Sequence, residues 1–265
     1  MLKTEGRSRL SAVLRGGQPL ISITDATSAL GLGRSAAAKI LARWQRQGWV
    51  ARVQRGLYAP IPLAATPGDQ VIEDPWTLLP ELFNPGYVGG ASAAHHWDLT
   101  GQLFRSIFVF TARPVRRKSH VVYGTTFVLR HMPEDKLFGT RILWRGRARL
   151  QISDPHRTIV DMLDDPAVGG GIRHVADCLN AYLKRSDTAP ETLIDYASRL
   201  GNGAVFKRLG FLMERAGVAE ALVKTCKENL TMGNAKLDPA LQCPRLIRGW
   251  RLWVPERWKQ ESADD

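Results

Sequence analysis

The sequence predicts an α+β fold in two parts, on three observations. Two helical stretches meet at the breaker Gly31-Leu32-Gly33, and alternating strand-like residues flank Gln54-Arg55-Gly56. Between Ile107 and Ile152 the spacing of apolar residues is that of strands, whereas from Asp154 to Glu228 it is that of helices. The length agrees, because 265 residues at roughly 150 per domain make one large domain or two modest ones. The expected division is residues 1–68 and 69–265, with Pro60, Pro62 and Pro67-Gly68 marking the linker.

Each element of the first part has a local reason. Ser8 to Leu14 is a short helix closed by Gly16-Gly17. Ser22 and Asp25 stand at capping-box spacing, the hydroxyl at the N-cap and the carboxylate three residues on, which starts a helix running to Leu30. A further helix spans about Ser35 to Gln47 and stops at Gly48. At 100° per residue Ala37, Leu41 and Trp44 share its apolar side, while Ser35, Lys39 and Arg46 lie opposite, flanked by Arg43. Two helices about a glycine turn followed by a hairpin with a basic tip make a winged helix-turn-helix.

The second part reads as a mixed α/β domain with a helical C-terminal half. An acidic helix is expected over about Asp74 to Phe83, then a strand end and short helix across Gly86 to Trp97. Strands follow at Ile107 to Ala112, Thr125 to His131, Arg141 to Arg145 and Arg147 to Ile152, the last two as a hairpin about Gly146. Helices then span Asp154 to Leu163, Ile172 to Lys184, Pro190 to Leu200, Ala204 to Ala216 and Ala219 to Glu228. A short strand near Trp250 to Val254 comes last.

Composition and charge narrow the function. Apolar residues are 44% and charged residues 23%, near globular averages, which excludes disordered and collagen-like classes. Lys and Arg exceed Asp and Glu by 12, an imbalance that points to a polyanionic partner, nucleic acid first. The excess sits in two blocks. Residues 1–65 carry ten basic and two acidic side chains, residues 66–104 carry five acids and no Lys or Arg, and residues 105–149 carry eleven basic and two acidic. Residues 150–265 balance at sixteen each. The three cysteines, Cys178, Cys226 and Cys243, are far apart and read as reduced and buried. With no signal peptide and no long apolar run, the protein is expected in the cytoplasm, away from membranes.

The first basic block falls on the helix-turn-helix. Ser35, Lys39, Arg43 and Arg46 form a face suited to a major groove about 12 Å wide. Arg34 would meet the DNA backbone, and Arg52, Gln54 and Arg55 the adjoining groove or phosphates. The alternative is a winged helix used for protein contacts. For the second block two readings stand: a solvated face, or a second basic surface at Arg113, Arg116, Arg117 and Lys118, suited to a phosphate backbone, RNA or an acidic protein.

Catalytic readings fare poorly. His95 and His96 are adjacent and cannot form an i, i+4 metal pair. Gly90-Ala91-Ser92 lacks the second glycine of a nucleophile elbow, and no phosphate-binding loop is present. Glu134-Asp135-Lys136 matches half of a metal-dependent nuclease motif, with carboxylates for the ion and Lys beside the attacking water, but it follows Pro133 in a turn. Asp154 to Asp161 reads as a capped helix start. No catalytic residue, metal or cofactor is expected; a nuclease domain and a ligand-responsive repressor remain the alternatives.

The chain resembles the AbiEi-type antitoxin and transcriptional-regulator family of bacterial type IV toxin–antitoxin systems. The resemblance spans most of the length and is carried by the winged helix ending in RGLY at 55–58, by YVGGASAAHHW at 87–97, IFVFT at 107–111 and ISDPHRTIVD at 152–161. It implies a protein that binds inverted repeats in its own promoter, represses that operon, and neutralises a nucleotidyltransferase-like toxin in abortive infection and phage defence. It does not imply a stable complex with the toxin. On this resemblance the DNA role carries over to Arg34, Ser35, Lys39, Arg43, Arg46, Arg52 and Arg55, and the antitoxin role only to the C-terminal domain as a region.

Overall fold

Two hydrophobic cores, each with its own helices, organise the protein. The computed structural model describes residues 4–17, 19–61 and 74–258. It divides into two compact units, the first comprising Met1–Asn84, His120–Thr126 and Ile142–Leu150, the second Pro85–Ser119, Phe127–Arg141 and Gln151–Asp265. The boundary expected near residue 69, with Pro62 and Pro67-Gly68, lies outside the described residues.

The first unit begins with α1 (Thr4–Leu14), four residues earlier than the sequence indicated. Strand β1 (Ile21–Ser22) leads into α2 (Ile23–Leu30) through the expected capping box: Asp25 N donates to Ser22 Oγ at 3.1 Å and Ser22 N to Asp25 Oδ2 at 2.8 Å. Gly31, at φ 63°, ends the helix in the left-handed conformation that glycine adopts most cheaply. Helix α3 (Arg34–Arg46) follows, then β2 (Val50–Gln54) and β3 (Leu57–Pro60). The strands form an antiparallel sheet in the order β1-β3-β2, with an irregularity between Arg52 and Gln54. Val13, Ile21, Ala26, Leu41, Trp44 and Tyr58 are among the side chains buried in its core. The single helix expected over Asp74 to Phe83 is instead a 3-10 turn, Pro75–Leu78, capped by Asp74, and a short α4 (Leu79–Phe83). Pro80 explains the break, since its ring and missing N–H forbid a continuous α-helix across it.

In a six-stranded sheet β4 (Gly86–Val88) runs antiparallel to β5 (Ser106–Thr111) and parallel to β9 (Ala148–Ser153). With β6 (Ser119–Val122), β7 (Thr125–His131) and β8 (Thr140–Arg145), the strand order is β6-β7-β5-β4-β9-β8. Strand β6 escaped the sequence reading because it lies at the sheet's edge, where exposed Ser119, His120 and Val121 leave no apolar alternation to detect. Helix α5 (Gly90–His96) packs against α6 (Pro155–Asp164), followed by α7 (Ile172–Leu183), α8 (Pro190–Leu200), α9 (Gly203–Arg215) and α10 (Glu220–Glu228). A small sheet of β10 (Ala235–Lys236), β11 (Arg245–Ile247) and β12 (Leu252–Val254) ends the described chain. None of the helices among the described residues is long and apolar enough to cross a membrane.

Helix α6 is the centre of the second unit, with Arg157 to Leu163 all buried. Its Arg157 and Asp161 bond to each other and to Tyr87, although Arg157 Nη1 is buried without a hydrogen-bond partner among the described residues. Arg157 Nε donates to Asp161 Oδ1 at 2.8 Å, the Tyr87 hydroxyl donates to Asp161 Oδ2 at 3.0 Å, and Arg157 Nη2 donates to the Tyr87 oxygen at 3.0 Å. The Arg157 guanidinium also lies 4.2 Å from the centroid of the Phe138 ring. Arg157 and Asp161 are both 0% exposed, so each depends on the other for its charge. Burial pushes the Asp161 carboxyl up to about 7, with Arg157 and the Tyr87 hydrogen bond pulling the other way. Removing one partner strands the other. Asp161→Ala is expected to lower unfolding free energy in urea by about 3–5 kcal/mol, whereas an Arg157→Met/Asp161→Leu double variant recovers most of that loss. A double variant no more stable than Asp161→Ala would contradict the charge argument.

Candidate nucleic-acid interface

Helix α3 owes its position to three side chains on one face: Ala37, Leu41 and Trp44 are all buried in the first unit's core. Trp44 also stacks on Trp49, with ring centroids 6.3 Å apart. Burying that face turns the opposite one outward, and Arg34, Ser35, Lys39, Arg43 and Arg46 are all exposed, with exposed Ala36 and Ala42 between them. Arg43 and Arg46 lie in the last turn, where the negative end of the helix dipole favours cations. Gly48, at φ 72°, turns the chain toward β2.

The strand pair beyond it carries the other expected residues. Arg52, Gln54 and Arg55 are exposed around Gly56, whose φ of 80° closes the turn between β2 and β3. Arg52 Nε donates to the Gln54 carbonyl at 3.4 Å, which folds that side chain along the strand irregularity. Ile23 N donates to Gly56 O at 3.2 Å, tying the turn to the first residue of α2. Among the described residues none of Arg34, Lys39, Arg43, Arg46, Arg52 and Arg55 forms an ion pair. Asp25, the acid nearest in sequence, is spent in the capping box. All eight side chains of this group therefore lie within one unit, and among the described residues its six cations form no ion pair.

The second basic group is in the other unit. Arg113, Arg116, Arg117 and Lys118 are exposed on the segment joining β5 and β6, where Arg113 O accepts from His131 Nδ1 at 3.2 Å and Lys118 O accepts from Leu129 N at 2.7 Å. Much of the remaining excess in residues 105–149 is engaged in packing. Arg130 pairs with Asp164 at 2.6 Å and also with Asp165, and Arg141 lies 5.6 Å from the Trp97 ring centroid. Within the first unit Arg145 lies 5.0 Å from the Trp76 ring centroid, and the Arg147 guanidinium lies so close to Gly17 that a Cβ there would collide with it. Tyr123 completes this packing, its hydroxyl donating to Ala51 O at 3.3 Å. Sequence reasoning missed the return of segments 120–126 and 142–150 to the first unit, since nothing in a local pattern reports which distant surface a turn meets.

Other motifs resolve as structure. In Glu134-Asp135-Lys136, a 3-10 turn, the lysine amine donates to Arg199 O at 2.7 Å, at the C-terminal end of α8. Among the described residues no cluster of three or more His, Cys, Asp or Glu side chains is arranged to hold a metal ion. Asp154 caps α6, accepting from Arg157 N at 2.7 Å and from the Tyr196 hydroxyl at 2.9 Å. The three cysteines are buried and unpaired, and burial pushes the Cys178 and Cys226 thiols up to about 12. The buried Tyr87–Arg157–Asp161 set was not foreseen as a unit, although the i, i+4 spacing of Arg157 and Asp161 inside an apolar stretch was its one local signal.

The chain is similar to the crystal structure of the RV2827C protein from Mycobacterium tuberculosis, with a TM-score of 0.65 and 19% sequence identity over 96% of this chain and 92% of that one. At that identity the likeness concerns the fold. A comparison with curated protein sequences found no match. The sequence model described as a transcriptional regulator, AbiEi antitoxin, matches residues 8–61, the stretch that holds α3 and the basic hairpin. Those residues thus form a domain of the AbiEi antitoxin transcriptional-regulator family.

Proposed function

We propose that this protein is the antitoxin of a type IV toxin–antitoxin pair that represses its own operon. Its N-terminal domain, a winged helix-turn-helix, binds inverted repeats in the promoter as double-stranded DNA. Its C-terminal domain neutralises a nucleotidyltransferase-like toxin in the cytoplasm, without catalysis and without a stable complex. The observation that carries this reading is the exposed cationic face of α3, which forms no ion pair among the described residues and lies with the basic hairpin inside the segment that matches the AbiEi family.

Physical roles follow from position. Lys39, Arg43 and Arg46, with small Ala36 and Ala42 between them, allow the helix to approach base edges closely. Arg34 at the helix start, and Arg52 and Arg55 at the wing, suit phosphate contacts, which set register without reading sequence. Gln54 at the wing tip offers an amide to either. The segment bearing Arg113, Arg116, Arg117 and Lys118 forms a second basic surface suited to a phosphate backbone, RNA or an acidic protein.

Fluorescence anisotropy with promoter DNA tests the regulatory half. Affinity should fall steeply with salt, each neutralised phosphate adding about −0.9 to the log–log slope. Lys39→Ala or Arg43→Ala should cost about 1–3 kcal/mol of specific binding, while stability changes by less than about 0.5 kcal/mol at these exposed positions. Arg116→Ala with Arg117→Ala should leave specific binding largely intact. Wild-type affinity in the α3 variants would refute the assignment.

Growth rescue tests the antitoxin half. Co-expressed with the neighbouring toxin gene, the full-length protein and its Arg43→Ala variant should both restore growth, while only the wild type represses a promoter reporter. Failure of the wild type to rescue would leave a DNA-binding regulator and remove the antitoxin role.

A further inference from the structure

A cleft of about 400 Å³ opens in the second unit between α7 and the end of α9. Its polar wall holds Arg173, Asp177 and Asn180 from α7, facing Arg215 from α9 and Trp258 beyond β12. Arg173 sits in the first turn of α7, which contains no acidic residue, so the positive end of the helix dipole disfavours its charge. Arg215, exposed at the end of α9, has its guanidinium 5.7 Å from the Trp258 centroid and 5.8 Å from that of Phe211. Neither arginine forms an ion pair among the described residues. Two like charges thus share one concave site, and among the described residues no carboxylate forms an ion pair with either.

The lining limits what can offset that charge. Guanidinium groups present planar forks of donors that match carboxylate and phosphate oxygens, and stacking on rings reduces the entropy lost when they bind. Trp258 supplies a flat apolar surface, and Leu179 and Leu212 add aliphatic floor. Asp177 contributes an acceptor and a negative charge, which repels a polyanion and favours a ligand with a hydrogen-bond donor away from its anionic end. The volume lies within the range of small-molecule sites, roughly 300–1,000 Å³.

We propose that this cleft binds a small oxyanion joined to a flat ring, with its phosphate or carboxylate on Arg173 and Arg215, its ring against Trp258 and a donor group on Asp177. The inference is independent of the DNA-binding and antitoxin readings. Isothermal titration of the full-length protein with uridine 5′-monophosphate and with 4-hydroxybenzoate separates the phosphate and carboxylate sources, while inorganic phosphate and phenol serve as the two halves. At least one ring-bearing anion should bind about tenfold or more tightly than either half. Arg173→Ala and Arg215→Ala should each weaken it about tenfold or more, as expected for loss of a charge-assisted hydrogen bond worth about 1.5–3 kcal/mol. Arg248→Ala, at an exposed position outside the cleft, should leave it unchanged. No binding by either anion, equal binding of a half, or wild-type affinity in both arginine variants would overturn the proposal.

Discussion

A guanidinium, a carboxylate and a phenol meet out of contact with solvent where strand β4 faces helix α6, and the second unit is arranged around them. Arg157, Asp161 and Tyr87 are each at most 2% exposed. An isolated charge at such a depth carries a desolvation penalty of several kcal/mol, so each member persists only while the others hold their geometry. Tyr87 belongs to the strand that joins the antiparallel and parallel parts of the sheet, and α6 touches α5, α7, α8 and α9. A shift of either element would break hydrogen bonds that the interior cannot replace. Secondary polar anchors repeat the device: Arg208 donates to the carbonyls of Leu163 and Asp164 at the end of α6, as well as to Lys236 O.

The first unit obeys a different constraint. Its core is small, and α3 must commit one face to it. Once Ala37, Leu41 and Trp44 are inside, helical geometry alone decides that Lys39, Arg43 and Arg46 are outside. These cations contribute little to folding; their effect is to leave a positive surface in need of an anion, which is why electrostatics here bears on partners more than on stability.

The same net charge has different meanings in the two basic blocks. In residues 105–149 Arg130, Arg141, Arg145 and Arg147 lie on carboxylates, aromatic rings or a glycine of the protein itself, whereas in α3 and the β2–β3 turn the cations form no ion pair among the described residues. Total charge therefore overstates the surface offered to a polyanion. The distribution of partners, which is a tertiary property, separates cations that hold the fold from those that face outward.

Local signals in the sequence determined the capping box at Ser22 and Asp25, the glycine stops at Gly31 and Gly48, the apolar stripe of α3 and the cap at Asp154. Each depends on residues within a turn or two of one another, so the order of helices and the identity of the cationic face were legible before any coordinates. Strand β6 was not, because an exposed edge strand has no buried face to impose alternation, and neither was the break at Pro80, which was outweighed by the apolar residues around it. Tertiary structure alone decided that segments 120–126 and 142–150 join the first unit, that Tyr87 completes the buried pair on α6, and that Arg173 and Arg215 share one cleft. The physical reason is common to all three: they are contacts between residues dozens of positions apart, set by how amphipathic elements pack and invisible to any pattern read along the chain.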